Sequence, residues 1–330
     1  MDWMQILAAG VLAMIGPVTA GYALSSIGLN LQFGYAGLLN FGYVAFMMVG
    51  AYGTAMTVDF GGPLWLGLVV GVAAAILLGL LLGIPTLRLR ADYFAITSIA
   101  VAEVLRLLIR SSSAEALTGG VFGLQGFGDG FYALNPFPNT ELYGFAPFVV
   151  TGRSLWVIVV GWSAVFLAIL FTARLIGSPW GRVLRAIRED EDATRSLGRN
   201  VFAYKLQALM IGGAIAGLAG ILFALDQQSV HPDAFQPRIT FMLFVMVILG
   251  GAGTIWGPVI GAALFNFLFY LTDRLMAQLQ ANVDFVGSIL TPSEAGLIKY
   301  VLVGIALMLL MVFRPQGLLG TRDEGRADVG

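Results

Sequence analysis

The chain has 330 residues, 58% of them hydrophobic and 11% charged, with a formal net charge of -1 and a mean hydropathy of +0.86. Soluble domains carry about 25% charged residues, so this composition reads as an integral membrane protein and, with no net positive charge, argues against a nucleic-acid partner. Cysteine is absent and His231 is the one histidine, which excludes a thiolate site and speaks against a His-ligated metal centre or a Ser–His catalytic pair.

A hydrocarbon core of about 30 Å needs about 20 apolar helical residues. On that measure the sequence predicts an all-α, polytopic transmembrane helical bundle over residues 1–330, with spans near Met4–Leu29, Leu38–Met56, Leu64–Pro85 and Tyr93–Ile109. Further spans fall near Leu155–Arg174, Lys205–Leu225, Phe241–Gly250, Pro258–Tyr270 and Leu297–Phe313. The seventh and eighth are short and glycine-broken, as half-helices are. Nine crossings result, with eight or ten as alternatives. No basic stretch precedes the first apolar run, which therefore reads as a retained span rather than a cleaved signal.

Basic residues orient the bundle. With the 177–204 loop cytoplasmic, Arg88, Arg90, Arg174, Lys205, Arg314, Arg322 and Arg326 join it on the same side, which then holds 12 of the 18 Lys and Arg. The positive-inside rule selects this arrangement, with the N-terminus outside and the 314–330 tail inside. Residues 111–152 form an external segment.

Small residues recur every four positions at Gly67, Gly71, Ala75, Gly79 and Gly83, and again at Gly213/Gly217 and Gly253/Gly257/Gly261. Such a face lets a neighbouring helix approach closely, and packing within the chain is preferred to a subunit interface. Gly34–Gly37 and Gly250–Gly253 share the pattern G-x-A-G, a weak internal echo of the kind duplicated transporters carry at interrupted helices.

Between Trp180 and Asn200 stand nine ionised side chains: Arg182, Arg185, Arg188, Glu189, Asp190, Glu191, Asp192, Arg195 and Arg199. Each would cost about 2.5–3.5 kcal/mol at a bilayer centre, so the segment stands in water. Val183, Leu184, Ile187, Thr194 and Leu197 trace a narrow apolar ridge. Arg185–Glu189, Arg188–Asp192 and Glu191–Arg195 fall at i, i+4, and Gly198 is a stop signal. A short amphipathic helix follows, whose ridge and mixed charges suit a groove on another protein. The plainer alternative is a solvated loop whose arginines set topology; it leaves the acidic run unexplained.

The run GRVLRAIREDEDATRSLG resembles the cytoplasmic coupling loop of bacterial branched-chain amino acid ABC permeases, in particular their M-type membrane subunit. GLNLQFGYAGLLNFGYVAFMMVGAY at 28–52, PTLRLRADYFAIT at 85–97, TGG at 118–120 and VILGGAGTIWGPVIGA at 247–262 resemble the same family in order and spacing. The resemblance implies a permease in the bacterial cytoplasmic membrane that works with a second permease subunit, two cytoplasmic ATPase subunits and an extracytoplasmic substrate-binding protein. Carried onto this chain, the ATPase-coupling residues are Arg182, Arg185, Arg188, Glu189, Asp190, Glu191, Asp192, Ala193 and Gly198. The family's E-A-A…G signature stands here as Asp192, Ala193, Thr194 and Gly198, a degenerate form. The external segment is longer than the family pattern suggests.

The chain holds no G-x-x-x-x-G-K-[ST] loop, and its two lysines, Lys205 and Lys299, do not follow glycine. ATP is therefore expected on partner subunits, with no cofactor, metal or enzymatic activity on this chain. Asn40, Tyr43, Tyr93 and Thr97 are polar groups within apolar spans near glycine breaks and are the candidates for a substrate path, packing roles being the alternative at each. Glu103, Arg106 and Arg110 share a helix face and suit an ion pair near the outer interface more than a proton relay. Asp226, His231 and Asp233 lie in an outer loop, where a metal site is disfavoured. Branched-chain or other hydrophobic amino acids lead as cargo; urea or a short amide is the alternative, and an ion-coupled secondary transporter or channel the rival class.

Overall fold

The computed structural model describes residues 3–138, 141–145, 148–282 and 316–320, with 301, 304, 305 and 308. The predicted ninth span, 297–313, lies outside the described residues apart from those four positions, as do Arg314, Arg322 and Arg326.

Proline and glycine break the first apolar run in two. α1 (Trp3–Ile15) and α2 (Pro17–Asn30) meet at Gly16–Pro17 with a 47° bend. Pro17 occupies the first helical turn, where its missing N–H costs nothing, and its ring prevents continuation of α1. α2 ends in a π-turn, Leu31–Tyr35, so its last residues are wound more widely than an α-helix. α3 (Val44–Asp59), α4 (Leu64–Thr86) and α5 (Ala91–Arg110) follow. Two short helical turns, at 112–114 and in α6 (Glu115–Thr118), lead to β1 (Leu124–Gln125) and α7 (Asp129–Tyr132). β2 (Leu142–Phe145) and β3 (Phe148–Thr151) form an antiparallel hairpin before α8 (Gly152–Gly177). α9 (Pro179–Glu189) and α10 (Glu191–Ser196) precede α11 (Val201–Gln227). β4 (Ser229–Val230) pairs antiparallel with β1, and α12 (Pro237–Gly250) and α13 (Gly257–Asn282) end the described helices.

Among the described residues, five helices are long and apolar enough to cross a membrane, or six with the bent α1–α2 pair counted as one span. α3 is shorter, and α5 carries Asp92, Glu103, Arg106 and Arg110.

The centre of the bundle is a seam of α3, α4 and α11, and glycine is what permits it. A Cβ on Gly53 would stand 2.9 Å from Gly71 Cα, one on Gly50 2.5 Å from Gly217 Cα, and one on Gly217 2.8 Å from Ala75 Cβ. Gly67, Gly71, Ala75, Gly79 and Gly83 are all buried against this chain's own α3 and α11. The four-residue repeat is thus an intramolecular packing face. The opposite face of α4 is bare: Val69, Leu77 and Leu81 are 54–65% exposed, as lipid-facing positions are.

The turns fall into two groups. One end gathers the π-turn, the α9–α10 segment, the α12–α13 turn and residues 316–320, whose Leu318 and Leu319 amides bond the Leu249 and Gly250 carbonyls at 3.0 and 3.1 Å. These amides complete the C-terminus of α12, where the helix has no internal partners left. The other end gathers β1–β4 and the 111–152 segment. There Tyr132 Oη donates to Leu225 O at 3.0 Å and Trp156 Nε1 to Phe131 O at 3.1 Å.

Candidate functional site

The charged segment folds as two helices rather than one. Pro179 starts α9 at its first turn, and α9 ends where Asp190 turns extended (φ -152°, ψ 107°). Asp190 then caps α10, accepting the Ala193 amide at 2.9 Å. Gly198, at φ +78°, ends the segment in the left-handed conformation that glycine adopts without strain. Two of the expected ion pairs do not form. Arg185 and Glu189 share α9, but the Arg185 guanidinium turns to Ile176 O instead. The extended Asp190 separates Asp192 on α10 from Arg188 on α9, while Arg195 does pair with Glu191 (2.9 Å) and also meets Asp192 (3.1 Å). Lys205 closes on the second oxygen of Glu191 and ties α10 to α11.

The apolar ridge is also placed differently from expectation. Leu184, Ile187 and Thr194 are buried against the body of the protein, Val183 is half-buried, and only Leu197 (82% exposed) projects outward. Burying the ridge inward removes more apolar surface from water than leaving it for a partner. What faces outward is mostly charged: Arg182, Glu189, Asp190, Asp192 and Arg195, with the small Ala193 beside them.

Two arginines turn back on the chain. Arg185 donates to Ile176 O at 3.5 Å and lies 5.9 Å from the Tyr35 ring centroid. Arg188 reaches the π-turn, its Nη1 donating to Gly34 O at 2.5 Å. Gly34 O is one of the carbonyls left open where the helix ends, so the guanidinium fills a real vacancy in the hydrogen-bond ladder. Gly37 packs on the stem of the same arginine, and a Cβ on Gly253 would stand 2.8 Å from Arg188 Nη1. Asn30 completes the joint: its Oδ1 accepts the Gly253 amide and its Nδ2 donates to Thr254 O, both at 2.8 Å. The two G-x-A-G stretches, 213 or more residues apart in sequence, therefore meet face to face beneath Arg188. Gly37 (φ +68°), Gly251 (φ +112°) and Gly253 (φ +80°) allow these turns.

The candidate path residues separate into two pairs. Asn40 and Tyr43 are wholly buried, on the non-helical stretch between the π-turn and α3. Backbone without a helix survives inside a membrane protein only when its polar groups are satisfied by protein. Here Asn40 Oδ1 and Ser98 Oγ both accept the Gly42 amide (3.1 and 3.2 Å), and Thr240 Oγ1 accepts the Val44 amide at 3.0 Å. Asn40 Nδ2 donates to Gln32 Oε1 (2.9 Å), Gln32 Nε2 to Leu209 O (3.0 Å), and Tyr43 Oη to Ser25 O (2.8 Å). Tyr93 is 60% exposed on α5 and Thr97 is half-buried; the α5 hydroxyl that reaches the Asn40 loop belongs to the next residue, Ser98. Sequence reasoning missed Asn30, Gln32, Ser98 and Thr240. A signal was available for two of them, since Asn30 and Gln32 are uncharged polar groups in an apolar helix within four residues of Gly28 and Gly34; Ser98 and Thr240 have no glycine beside them and come to the broken segment only through the fold.

At the other end, Arg106 pairs with Glu103 one turn away (Nε to Oε2 3.0 Å), as expected, and also with Asp233 of the loop before α12 at 2.7 Å. Arg110 approaches the same Asp233 at 3.6 Å. The network locks α5 to that loop. No group of three or more His, Cys, Asp or Glu with metal-ligand geometry occurs among the described residues. His231 instead borders a cavity of about 290 Å³, with Gln227 and Ser229 at its rim and Tyr22, Met47, Phe223, Phe235 and Ile239 as its walls.

A bundle of long apolar helices, bent or broken at buried polar joints and carrying one charged helix pair at one end, defines a multi-pass membrane protein. A model of the family described as "Branched-chain amino acid transport system / permease component" matches residues 11–312, and the chain belongs to that family. It is similar to the high-affinity branched-chain amino acid transport system permease protein LivM of Escherichia coli, with 32% identity over 92% of this chain and 69% of that protein. It is similar, too, to a probable branched-chain amino acid transport permease protein LivM of Methanocaldococcus jannaschii (28%, 90% of each chain). The LivH permease of E. coli aligns at 26% over 93% of this chain and 94% of its own length. No solved structure matches.

Proposed function

We propose that this chain is one membrane-spanning subunit of an ATP-driven importer for branched-chain or other hydrophobic amino acids, without an ATPase site or cofactor of its own. The observation that carries the reading is the α9–α10 segment, charged outward and fixed inward at Arg188, within a chain of this permease family. The LivM and LivH relatives carry amino-acid permease names and align over nearly the whole chain, which supports a paired second permease. Two ATPase subunits and an extracytoplasmic binding protein complete the assembly. Nine crossings, with the N-terminus outside and the tail inside the cytoplasmic membrane, accommodate the two clusters of loops.

The outward residues Arg182, Glu189, Asp190, Asp192, Ala193 and Arg195 dock the ATPase. Arg185, Arg188 and Glu191 act behind them, joining the docking element to the spans. When the ATPase moves α9, the pull passes from Arg188 to the Gly34 carbonyl and, through Asn30, to the α12–α13 turn. Both interrupted helices then move together. Asn40 and Tyr43 hold the broken segment between the π-turn and α3. Tyr93 and Thr97 lie where a second permease adds the opposite wall of the path. The apolar walls of the cavity beside His231 suit a branched aliphatic side chain, with Gln227 and Ser229 placed for its polar end.

Reconstitution tests the reading. The chain, its second permease and the ATPases, placed in proteoliposomes with the cognate binding protein, accumulate radiolabelled leucine, isoleucine or valine only with internal ATP. Arg182→Glu with Arg195→Glu removes the ATPase from the purified complex. Accumulation without any ATPase subunit would sink the reading.

A further inference from the structure

Beside the α9–α10 segment, on the side away from Arg188, the turn between α4 and α5 and the start of α11 enclose a cavity of about 740 Å³. Five cations and two carboxylates line it. The carboxylates are already engaged: Glu191 with Arg195 and Lys205, Asp192 with Arg195. Arg88, Arg90 and Arg199 are left with no carboxylate partner among the described residues, and Arg88 lies 5.8 Å from the Phe202 ring centroid. The cavity stands where α4 ends, α5 begins and α11 begins, which is the level of the membrane–water boundary for α4 and α11.

A second feature runs from the same place. Leu89 at the rim is 46% exposed, and Ile84, Leu81 and Leu77 continue along the outer side of α4 at 50, 65 and 54% exposure. The cavity thus joins three uncompensated guanidinium groups to an apolar strip leading toward the middle of the bilayer. An acidic protein segment would satisfy the arginines and leave the strip untouched. A phospholipid satisfies both, its phosphate in the cavity and an acyl chain along α4.

We propose that this cavity is a binding site for the headgroup of an anionic phospholipid of the inner leaflet. The site goes beyond the transport reading and rests on the chain spanning a membrane with the α9–α10 segment on its cytoplasmic side. Because Glu191 and Lys205 connect its wall to α10 and α11, a bound lipid steadies the junction between docking element and span.

The test is native mass spectrometry of the intact transporter complex released from nanodiscs containing phosphatidylglycerol or cardiolipin against phosphatidylcholine. The wild type retains the anionic lipid at least about tenfold better than phosphatidylcholine of the same chain length. Each arginine near an anionic surface contributes about fivefold, so Arg88→Gln/Arg90→Gln/Arg199→Gln weakens retention on the order of 100-fold, while the corresponding triple Lys variant keeps most of it. Millimolar inorganic phosphate does not displace the lipid. Equal retention of the two lipid classes by the wild type overturns the proposal whether or not the Gln variant folds. Displacement by inorganic phosphate overturns it in favour of a soluble anion. Unchanged lipid retention in the Gln variant with loss of the ATPase overturns it in favour of a protein contact. The transport reading survives all three results, since uptake by the wild-type complex is measured separately.

Discussion

The α3–α4–α11 seam and the α9–α10 segment are held by opposite means. The seam has almost no polar contacts across it and depends on missing side chains, with Gly50, Gly53, Gly71 and Gly217 letting backbones touch. The α9–α10 segment has a modest apolar underside, and its position is set by a few directed bonds, from Arg188 to Gly34 and from Lys205 to Glu191. Close backbone packing resists any change in spacing, because it has no soft atoms to yield. Directed bonds across a joint let one body pull another while each keeps its own shape. The contrast separates a part of the protein held by backbone contact from a part held by a few removable bonds.

The largest expected effect lies in the seam. Gly71→Leu forces a side chain into the Gly50 backbone and Thr54, with overpacking of about 3 kcal/mol or more. The folded peak in detergent gel filtration should disappear, while Gly177→Ala, which meets nothing within 4 Å, leaves it intact. Equal behaviour of the two variants would erase the distinction between the regions.

Next comes Arg188→Ala. A charged hydrogen bond to an otherwise open carbonyl contributes about 1.5–3 kcal/mol, so uptake should fall on the order of 10- to 100-fold. ATPase co-purification should persist, because the side chain points away from the docking face. Loss of association together with uptake would place Arg188 in the docking surface instead. Asn30→Asp sharpens the same joint: a carboxylate cannot donate to Thr254 O, and the unfolding free energy in detergent should drop by about 1–3 kcal/mol. The smallest effect belongs to the outer network. Asp233 is 39% exposed, so Asp233→Asn should cost about 1 kcal/mol or less and leave uptake near the wild-type rate. A large loss of uptake there would make the Glu103–Arg106–Asp233 group part of the transport path.

Much of this was legible in the chain before folding. The four-residue repeat of small residues marked the face of α4 that packs, because only small side chains let helices approach so closely. Nine charges between Trp180 and Asn200 marked the charged helical segment between α8 and α11, because they are costly in lipid. The Glu103–Arg106 pair was legible from its spacing. The break at Asp190 was not, since i, i+4 spacing describes a continuous helix and one extended residue changes every partner beyond it. Nor was the inward turn of Leu184 and Ile187. Periodicity says that two residues share a face and says nothing about what that face meets.

By itself, the sequence determined the solvent of each segment and the small-residue faces, because water and lipid act on every side chain locally and by type. Only the tertiary structure decided that Gly34, Gly253, Asn30 and Arg188 form one joint. Their meeting depends on how far apart the ends of α2, α9 and α12 come to rest, and that distance is set by the packing of the whole bundle.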